Sequence, residues 1–230
     1  MKAIYERTAA LIGEPAMEKL KKARVLVIGL GGVGGYTAEA LARAGVGTLG
    51  FCDFDIVDPT NFNRQILALE SGVGRLKVEL AKERAEDINP SALIRTFPFK
   101  VDAESIGLLE IASWDYVADA VDEVSAKLLI IESCAERGVP VISSMGTGNK
   151  LNPFSYRIAP IEKTDTDPLA RLMRKKLKER GISGIPVLYS PEPPKIESLE
   201  KGAPIPSISY MPAVAGLMLA SHVINELIKE

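Results

Sequence analysis

The chain alternates short runs of apolar residues with longer segments in which apolar positions recur every three or four residues. A short apolar run bounded by glycine or polar residues indicates a buried strand, and the longer spacing indicates a helix with one apolar face. Five strands are predicted, over Arg24 to Gly29, Gly47 to Asp53, Ala92 to Phe99, Asp115 to Ala120 and Val139 to Ser144. Four helices are predicted between them, over Val33 to Ala44, Arg75 to Ile88, Glu104 to Ile111 and Val124 to Arg137.

Strands that alternate with helices predict an α/β fold of the Rossmann-like, doubly wound type. In such a fold a mainly parallel sheet carries helices on both faces, and ligands bind at the carboxyl ends of the strands. The segment "GEPAMEKLKKA" predicts a further short helix ahead of the first strand, with Pro15 in its first turn. The catalytic chemistry of the chain is therefore expected in the loops that follow the strands.

The pattern changes after Met145, where glycine and proline interrupt the apolar runs. We expect loops and short strands there, then a helix in "DPLARLMRKKLKER". A mobile, proline-rich surface loop is predicted from Pro186 to Pro206, and an apolar helix from Pro212 to Ile228. We predict one domain over residues 1–230, of which these segments are a C-terminal extension.

Composition narrows the function classes. The chain has 230 residues, of which 47% are hydrophobic and 25% charged, and lacks both an apolar run of about eighteen residues and a signal-peptide pattern. A cytoplasmic protein without membrane contact is expected. Two cysteines and one histidine cannot form a four-thiolate zinc site, so no zinc is expected and Cys52 and Cys134 are interpreted as buried free thiols. A histidine-based hydrolase is nearly excluded for the same reason.

A glycine motif follows the first predicted strand. Gly29, Gly31 and Gly34 form G-x-G-x-x-G, with Gly32 inside it, at the start of a predicted helix. Such a turn lets a phosphate approach the backbone and the unpaired N–H groups of the helix N-terminus. Asp53 follows Gly34 by 19 residues, where an acid can accept hydrogen bonds from ribose hydroxyls. These features alone indicate a bound adenosine phosphate and favour a dehydrogenase.

The polar residues downstream favour a triphosphate instead. Lys77 lies near the start of the next predicted helix, and the loop "DFDIVDPTNFNRQIL" before it contains Asp55, Asn61, Asn63, Arg64 and Gln65. Cationic side chains neutralise phosphate oxygens when the α-phosphorus is attacked. Asp122, after the fourth strand, could hold Mg²⁺ against the phosphates. The alternatives are surface ion pairs for Arg64 and Lys77, and capping of the following helix for Asp122.

Five segments in this order, "GLGGVGG", "DFD", "NFNRQ", "GRLKVE" and "DAVDE", resemble the ThiF-type adenylating family, which includes ubiquitin-activating enzymes and bacterial activators of sulfur-carrier proteins. The resemblance implies ATP as substrate. It assigns ribose to Asp53, Mg²⁺ to Asp122, and places Arg7 at the phosphates of a neighbouring subunit, which implies a homodimer. It implies that the nucleotide is bound by Gly29, Gly31, Gly32, Gly34, Asp53, Asp55, Asn61, Arg64 and Lys77, with Arg7, Arg64, Lys77 and Asp122 in catalysis.

The segment "IEKTDTDPLARLMRKKLKERGI" is similar to one branch of this family, the dehydratases that cyclise threonylcarbamoyladenosine in tRNA. That similarity implies ATP-dependent activation of a carboxylate followed by ring closure, and sulfur-relay proteins as further partners. An alternative is adenylation of the C-terminal glycine of a sulfur-carrier protein. Residues 145–230 contain no cysteine, which weakens a thioester-forming mechanism. A third interpretation is a nicotinamide-binding module or oxidoreductase, which leaves Arg7, Arg64 and Lys77 unexplained.

The helix of this segment is strongly basic. From Arg171 to Arg180 it carries six basic residues and a single acid, Glu179, although the net charge of the whole chain is −2. A solvated basic face is the commoner explanation of such a run. A tRNA substrate would also require a basic surface near the site, because phosphates dominate contacts with nucleic acids. Both explanations stay open at this point.

Overall fold

The fold is known from a computed structural model that describes residues 3–198, 200 and 202–229. Seven strands form one sheet in the order β3-β2-β1-β4-β5-β7-β6. Neighbouring strands are parallel, except that β6 is antiparallel to β7. The strands are β1 Arg24–Ile28, β2 Thr48–Cys52, β3 Leu93–Phe97, β4 Tyr116–Asp119, β5 Val141–Ser144, β6 Arg157–Pro160 and β7 Pro186–Tyr189. The five strands expected from the sequence are confirmed with narrower bounds.

Helices cover both faces of the sheet, so the predicted Rossmann-like doubly wound fold is confirmed. Alternate residues of β1 face opposite sides: Val25 and Val27 join a core with the first helices of the chain and the last, whereas Leu26 and Ile28 join a second core on the other face. The helices are α1 Glu6–Ile12, α2 Glu14–Lys22, α3 Gly34–Ala44, α4 Lys77–Ile88, α5 Val124–Arg137, α6 Pro168–Glu179 and α7 Tyr210–Ile228.

The helix predicted over Glu104 to Ile111 is wrong. Two 3₁₀ turns, Ile106–Leu109 and Ile111–Ser113, occupy the region and are separated by Glu110 in the left-handed conformation with φ 49°. The buried indole of Trp114 donates from Nε1 to the carbonyl oxygen of Leu109 at 2.8 Å. That bond takes a carbonyl that a continuing helix would have used, so burial of the indole overrides the local helical spacing.

The C-terminal part differs from the expectation in two places. The proline-rich stretch predicted as a loop from Pro186 begins as strand β7, which lies between β5 and β6 and is largely buried. Between this strand and α7, the described residues form no helix or strand. Helix α7 begins at Tyr210, two residues before the predicted start. Helix α1 lies in a segment for which no element was predicted.

Helix α7 is long and apolar enough to cross a membrane by length and composition alone. One face of the helix packs into the core. Met211, Ala215 and Leu219 are fully buried, and Thr37 of α3 donates from Oγ1 to the carbonyl oxygen of Gly216 at 3.0 Å. A Cβ at Gly216 would lie 2.3 Å from the carbonyl oxygen of Val33, so the two helices are in backbone contact at this point.

Candidate active site

The turn between β1 and α3 lies where the strand order reverses, between β1 and β4. Gly29 has φ +86°, and a Cβ there would lie 2.8 Å from the backbone of Ala120 after β4. At Gly34 a Cβ would lie 1.7 Å from the carbonyl oxygen of Gly29, so the helix starts directly against the end of the strand. No side chain of the described residues caps the N-terminus of α3. Its first N–H groups and its dipole therefore point at the carboxyl edge of the sheet, where anions bind.

Gly31 differs from the other glycines of this turn. Gly29 and Gly34 are required by backbone contacts within the fold, and Gly32 is required by Pro212 of α7, which a Cβ would approach to 2.9 Å. A Cβ at Gly31 would meet only Nε2 of Gln65, at 4.0 Å, among the described residues. That is an ordinary contact, so the fold itself does not require glycine here. The open side of Gly31 is the place where a phosphate can reach the backbone.

Asp53 lies at the end of β2, beside the glycine turn, and is buried. Its Oδ2 accepts from the N–H of Leu30 at 2.6 Å and its Oδ1 from the N–H of Asp55 at 2.8 Å. Burial raises the pKa of the Asp53 carboxyl above its ordinary value, and the charge of Lys77 and the two backbone donors oppose that rise. The carboxylate is thus fixed in orientation and retains acceptor capacity for the hydroxyls of a ribose.

Lys77, the first residue of α4, brings a buried cation to the same edge. Its side chain is 4% exposed, and Nζ lies 2.9 Å from Oδ2 of Asp55. The backbone N–H of Lys77 also donates to the carbonyl oxygen of Asp55 at 3.0 Å. The ion pair considered as an alternative is thus present at Lys77, with the half-exposed Asp55, although the side chain of Lys77 itself is buried. The position suits a cation that neutralises phosphate charge.

The loop of residues 58–65 carries Asn61 and Arg64. Asp58 and Asn61 cap the 3₁₀ turn Pro59–Asn61 reciprocally, and Oδ1 of Asn61 accepts from the N–H of Asp58 at 3.3 Å. The guanidinium of Arg64 donates to the carbonyl oxygen of Thr60 at 3.0 Å and to Oδ1 of Asn63 at 2.9 Å. Within the described ranges no carboxylate lies within 4.0 Å of it, so the ion-pair alternative is wrong for Arg64, in contrast to Lys77.

The two acids after β4 have different surroundings. Asp119 is fully buried, and its Oδ2 accepts from Lys127 Nζ at 3.0 Å and from Ser143 Oγ at 2.5 Å, which ties β4 to α5 and β5. Asp122 is exposed and forms no hydrogen bond within the part of the chain that the structure describes. The N-cap of α5 is Glu123, with no side-chain capping bond, so capping by Asp122 is wrong.

The site contains no protein cluster that could hold a metal ion by itself: the described residues include no group of three or more histidine, cysteine or acidic side chains at metal-binding distances. Mg²⁺ is commonly bound by one or two carboxylates together with substrate phosphates and water. The exposed carboxylate of Asp122, at the carboxyl edge of the sheet, fits that mode of binding. Zinc has no ligand set there.

The structure does not bring Arg7 to the glycine turn of its own chain. Arg7 is exposed on α1. Tyr5, two residues earlier, packs against Gly45 at the C-terminal end of α3. Gly34 stands at the other end of that helix, about 16 Å away at 1.5 Å per residue. The contacts of α1 therefore give no support to a role of Arg7 within its own chain, and a role across a subunit interface stays a prediction.

Sequence reasoning placed Gln65 in the polar loop without a role of its own, and it did not single out Lys150 or Asp167. Oε1 of Gln65 is buried and has no hydrogen-bond partner among the described residues. Lys150 and Asp167 form a buried ion pair at 2.8 Å, and Lys150 Nζ also donates to the carbonyl oxygens of Gly146 and Ser190, both at 3.0 Å. Asp167 Oδ1 in turn accepts from the N–H of Ala170 and caps α6. Neither role follows a local pattern, because each depends on segments distant in sequence.

The proline-rich segment between β7 and α7 is attached to the loop that follows β5. Asn149, with φ 57°, accepts from the N–H groups of Lys195 and Ile196 and donates to the carbonyl oxygens of Ile196 and Pro206. The Glu192 carboxylate accepts from two further N–H groups of that loop, at 2.9 and 3.0 Å. Asn63 of the Arg64 loop donates to the carbonyl oxygen of Ser207 at 3.3 Å. The segment thus borders the candidate site.

Helix α6 presents part of its basic run to solvent. Arg171, Lys175 and Lys178 are exposed and, at positions i, i+4 and i+7, share one face. Arg174 instead donates to the backbone and hydroxyl oxygens of Thr164, and Arg180 forms an ion pair with Glu132. Three of the six basic residues therefore form the exposed stripe, which starts beside the Lys150–Asp167 pair.

The chain matches a known protein family over most of its length. The model of the ThiF family matches residues 5–230. The chain belongs to the ThiF family. Its resemblance to that family, noted on five short segments, is thereby confirmed over nearly the whole chain.

Individual relatives resemble the chain along most of its length. The chain is 40% identical to the tRNA threonylcarbamoyladenosine dehydratase of Bacillus subtilis, over 98% of this chain and 95% of that protein. The crystal structure of the Escherichia coli tRNA N6-threonylcarbamoyladenosine dehydratase TcdA in complex with ATP superposes with a TM-score of 0.90 at 31% identity, over 97% of this chain and 93% of the other. The adenylyltransferase and sulfurtransferase UBA4 of Meyerozyma guilliermondii is 37% identical over 72% of this chain and 40% of its own length.

Proposed function

We propose that this protein is an ATP-dependent enzyme that activates the carboxylate of threonylcarbamoyladenosine in tRNA and cyclises it. One observation carries the nucleotide part: a Cβ at Gly31 would make only an ordinary contact, so the fold needs no glycine there, beside the buried carboxylate of Asp53. The choice of substrate is supported by two relatives of that name, from Bacillus subtilis and Escherichia coli, which the chain matches along nearly their whole length.

In this proposal ATP binds across the carboxyl edge between β1, β2 and β4. Asp53 accepts hydrogen bonds from the ribose hydroxyls, and the backbone of Gly29, Gly31, Gly32 and Gly34 admits the phosphates. Asn61, Arg64 and Lys77 face the triphosphate, and Asp55 holds the ammonium group of Lys77 in position. Asp122 holds Mg²⁺, which supplies charge neutralisation for the phosphate oxygens.

The chemistry requires positioning and charge stabilisation more than proton transfer by the protein. A carboxylate oxygen of the substrate attacks the α-phosphorus of ATP, the bond to the β-phosphate breaks and pyrophosphate leaves. An atom of the adjacent carbamoyl group then attacks the activated acyl carbon, AMP leaves and one proton is released. The ring thus forms with net loss of water, whose oxygen leaves with AMP. No thiol is required, consistent with the buried positions of both cysteines.

The tRNA contacts the exposed stripe of Arg171, Lys175 and Lys178 in this proposal. These three side chains lie on one exposed face of α6, where they can meet phosphates of a polyanion, although Lys175 also lies 4.0 Å from the carboxylate of Glu179. Because Asp167 caps α6 and pairs with Lys150, the stripe has a fixed position relative to the loop after β5. We further propose a cytoplasmic homodimer, with sulfur-relay proteins as additional partners.

The test is incubation of the protein with ATP, Mg²⁺ and tRNA that carries threonylcarbamoyladenosine, followed by mass spectrometry of the nucleosides. The expected product is lighter than the substrate by one water, with formation of AMP and pyrophosphate in equal amounts. Arg64→Ala at equal protein concentration is the inactive control. Absence of the cyclic product from wild-type protein that binds ATP would refute the choice of substrate.

The homodimer is tested by mixing inactive subunits. Arg7→Ala and Asp122→Ala chains are each expected to be inactive alone. Half of randomly mixed dimers contain one chain of each kind, and each has one intact site, so roughly a quarter of the wild-type rate should return. No return of activity in a verified mixed dimer would show that Arg7 does not act across the interface.

A second candidate function is adenylation of the C-terminal glycine of a sulfur-carrier protein. The relation to UBA4 favours it, but this chain covers only 40% of that relative. It predicts exchange of pyrophosphate with ATP only when such a carrier protein is present. The same nucleotide site would serve both reactions, so the two assays differ only in the acceptor substrate that is added.

A further inference from the structure

Gln65 is the single glutamine of the chain and lies at the end of the loop that carries Arg64. Its residue surface is 8% exposed, and Oε1 is buried without a hydrogen-bond partner in the described part of the molecule. Buried polar atoms are nearly always paired in native proteins, so the fold makes no use of Oε1 to fix this carboxamide. A phosphate oxygen cannot donate to Oε1, so the atom of this side chain that can meet a phosphate is Nε2.

The backbone around Gln65 is well fixed. Its N–H donates to the carbonyl oxygen of Asn61 at 2.9 Å, and its own carbonyl oxygen accepts from the N–H of Ala68 at 3.1 Å. The position of the carboxamide is therefore set by the loop and not by contacts of its own polar atoms. A side chain that is held in this way is available to a ligand.

The carboxamide stands at the open side of Gly31. Nε2 of Gln65 is the one described atom within 4 Å of the place where a Cβ of Gly31 would be. Gly31 is also the glycine of the turn that no internal contact requires. An N–H donor thus lines the space through which an anionic oxygen reaches the backbone of the turn, and donors prefer charged acceptors to neutral ones.

We infer that Gln65 is a nucleotide-binding residue whose carboxamide donates a hydrogen bond from Nε2 to a phosphate oxygen of ATP at Gly31. The inference rests on the proposed use of ATP and adds a residue to that site. It assigns the phosphates to the side of the turn lined by Gln65 and leaves the ribose to Asp53. The carboxylate of Asp53 accepts from the N–H of Leu30, the residue before Gly31.

Two variants separate this role from a structural one. Gln65→Met keeps the length of the side chain and removes its hydrogen-bonding atoms. Gln65→Glu keeps the shape, removes the donor and adds a negative charge. Loss of a hydrogen bond to a charged group should weaken ATP binding about ten- to a hundredfold in Gln65→Met. Gln65→Glu should weaken it further, because the carboxylate repels the phosphates, whereas binding of adenosine should be unchanged in both variants.

Asn89 offers a matched control. It is a second buried carboxamide, 2% exposed, but both of its polar atoms are paired: Nδ2 donates to the carbonyl oxygen of Val46 at 3.2 Å and Oδ1 accepts from Ser91 Oγ at 3.0 Å. Asn89→Leu should therefore lower the melting temperature and leave ATP affinity unchanged. Gln65→Met should show the reverse, with an unchanged or higher melting temperature of the free protein and weaker ATP binding.

Equilibrium binding of ATP is measured by titration calorimetry, with the ATP-dependent rise of the melting temperature as a second readout. No tRNA is added, so the result does not depend on the acceptor substrate. Wild-type affinity in Gln65→Met would overturn the inference. Equal or tighter binding of ATP by Gln65→Glu would also overturn it, because the side chain at position 65 would then face hydroxyl groups of the ribose and not a phosphate. Failure of wild-type protein to bind ATP would instead refute the proposed function.

Discussion

Replacement of Gly31 by alanine tests whether the glycine turn is shaped for its own packing or for a ligand. The new methyl group would lie 4.0 Å from Nε2 of Gln65, which is an ordinary contact, and Gly31 does not have a positive φ. Alanine in place of such a glycine restricts the unfolded chain and stabilises a protein by about 0.4–1 kcal/mol. For a chain of this length that corresponds to a rise in melting temperature of roughly 1–4 °C.

The same methyl group occupies the space through which a phosphate approaches the backbone. Each lost hydrogen bond to a charged group costs about 1.5–3 kcal/mol, so ATP affinity should fall at least about tenfold. Thermal unfolding with and without ATP measures both effects on one sample. Gly31→Ala should melt slightly higher than wild type without ATP and show a smaller rise with it.

Gly34→Ala is the matched control. Its Cβ would lie 1.7 Å from the carbonyl oxygen of Gly29, a contact that cannot be relieved without moving the end of β1. That variant should melt far below wild type or fail to fold. If Gly31→Ala bound ATP as tightly as wild type, phosphates would not approach the turn at this residue, and the reasoning would be refuted.

Three further predictions concern single groups. Asp122→Asn should lower the adenylation rate by roughly a hundredfold with no change in melting temperature, since the side chain forms no hydrogen bond within the described residues; a normal rate would exclude it from metal binding. Burial lowers the pKa of His222, so the free energy of unfolding should decrease as the pH falls below about 6.5. This decrease should be smaller in His222→Gln. An NMR titration that gave the single imidazole a pKa of 6.5 or higher would contradict the prediction. Burial raises the pKa of Cys52 and Cys134 to about 12, so a thiol reagent should modify neither in the folded protein and both in denaturant.

The spacing of apolar residues predicted the part of the fold in which strands and helices alternate regularly. The strands β1 to β5 and the helices α3, α4 and α5 were predicted because their apolar positions repeat at the spacing of the element that they form. Strand β7 was missed because it begins with Pro186 in a proline-rich stretch, and proline usually counts against a strand. It forms because β5 and β6 enclose it on both sides.

Some residues of the candidate site could be predicted from the local sequence, and others could not. The residue types and order of Asp53, Arg64 and Lys77 could be recognised along the sequence, because each follows a strand or opens a helix. The unpaired amide of Gln65 could not be, since its burial beside Gly31 depends on a loop that returns to the glycine turn. The capping role considered for Asp122 was wrong for a local reason: α5 begins after Glu123 without a side-chain cap.

The proline-rich segment between β7 and α7 can vary in length without moving the elements on either side of it. Its two ends are held separately, because the carbonyl oxygen of Ser190 accepts from Lys150 and that of Ser207 from Asn63. The positions of β7 and α7 therefore do not depend on the number of residues between those points. Doubling a flexible loop costs only about 0.6 kcal/mol in closure entropy. Insertions or a grafted reporter peptide between Ile196 and Pro206 should thus be tolerated, because both of these residues are bonded to Asn149. That stretch can change in length during evolution while the nucleotide site remains unchanged.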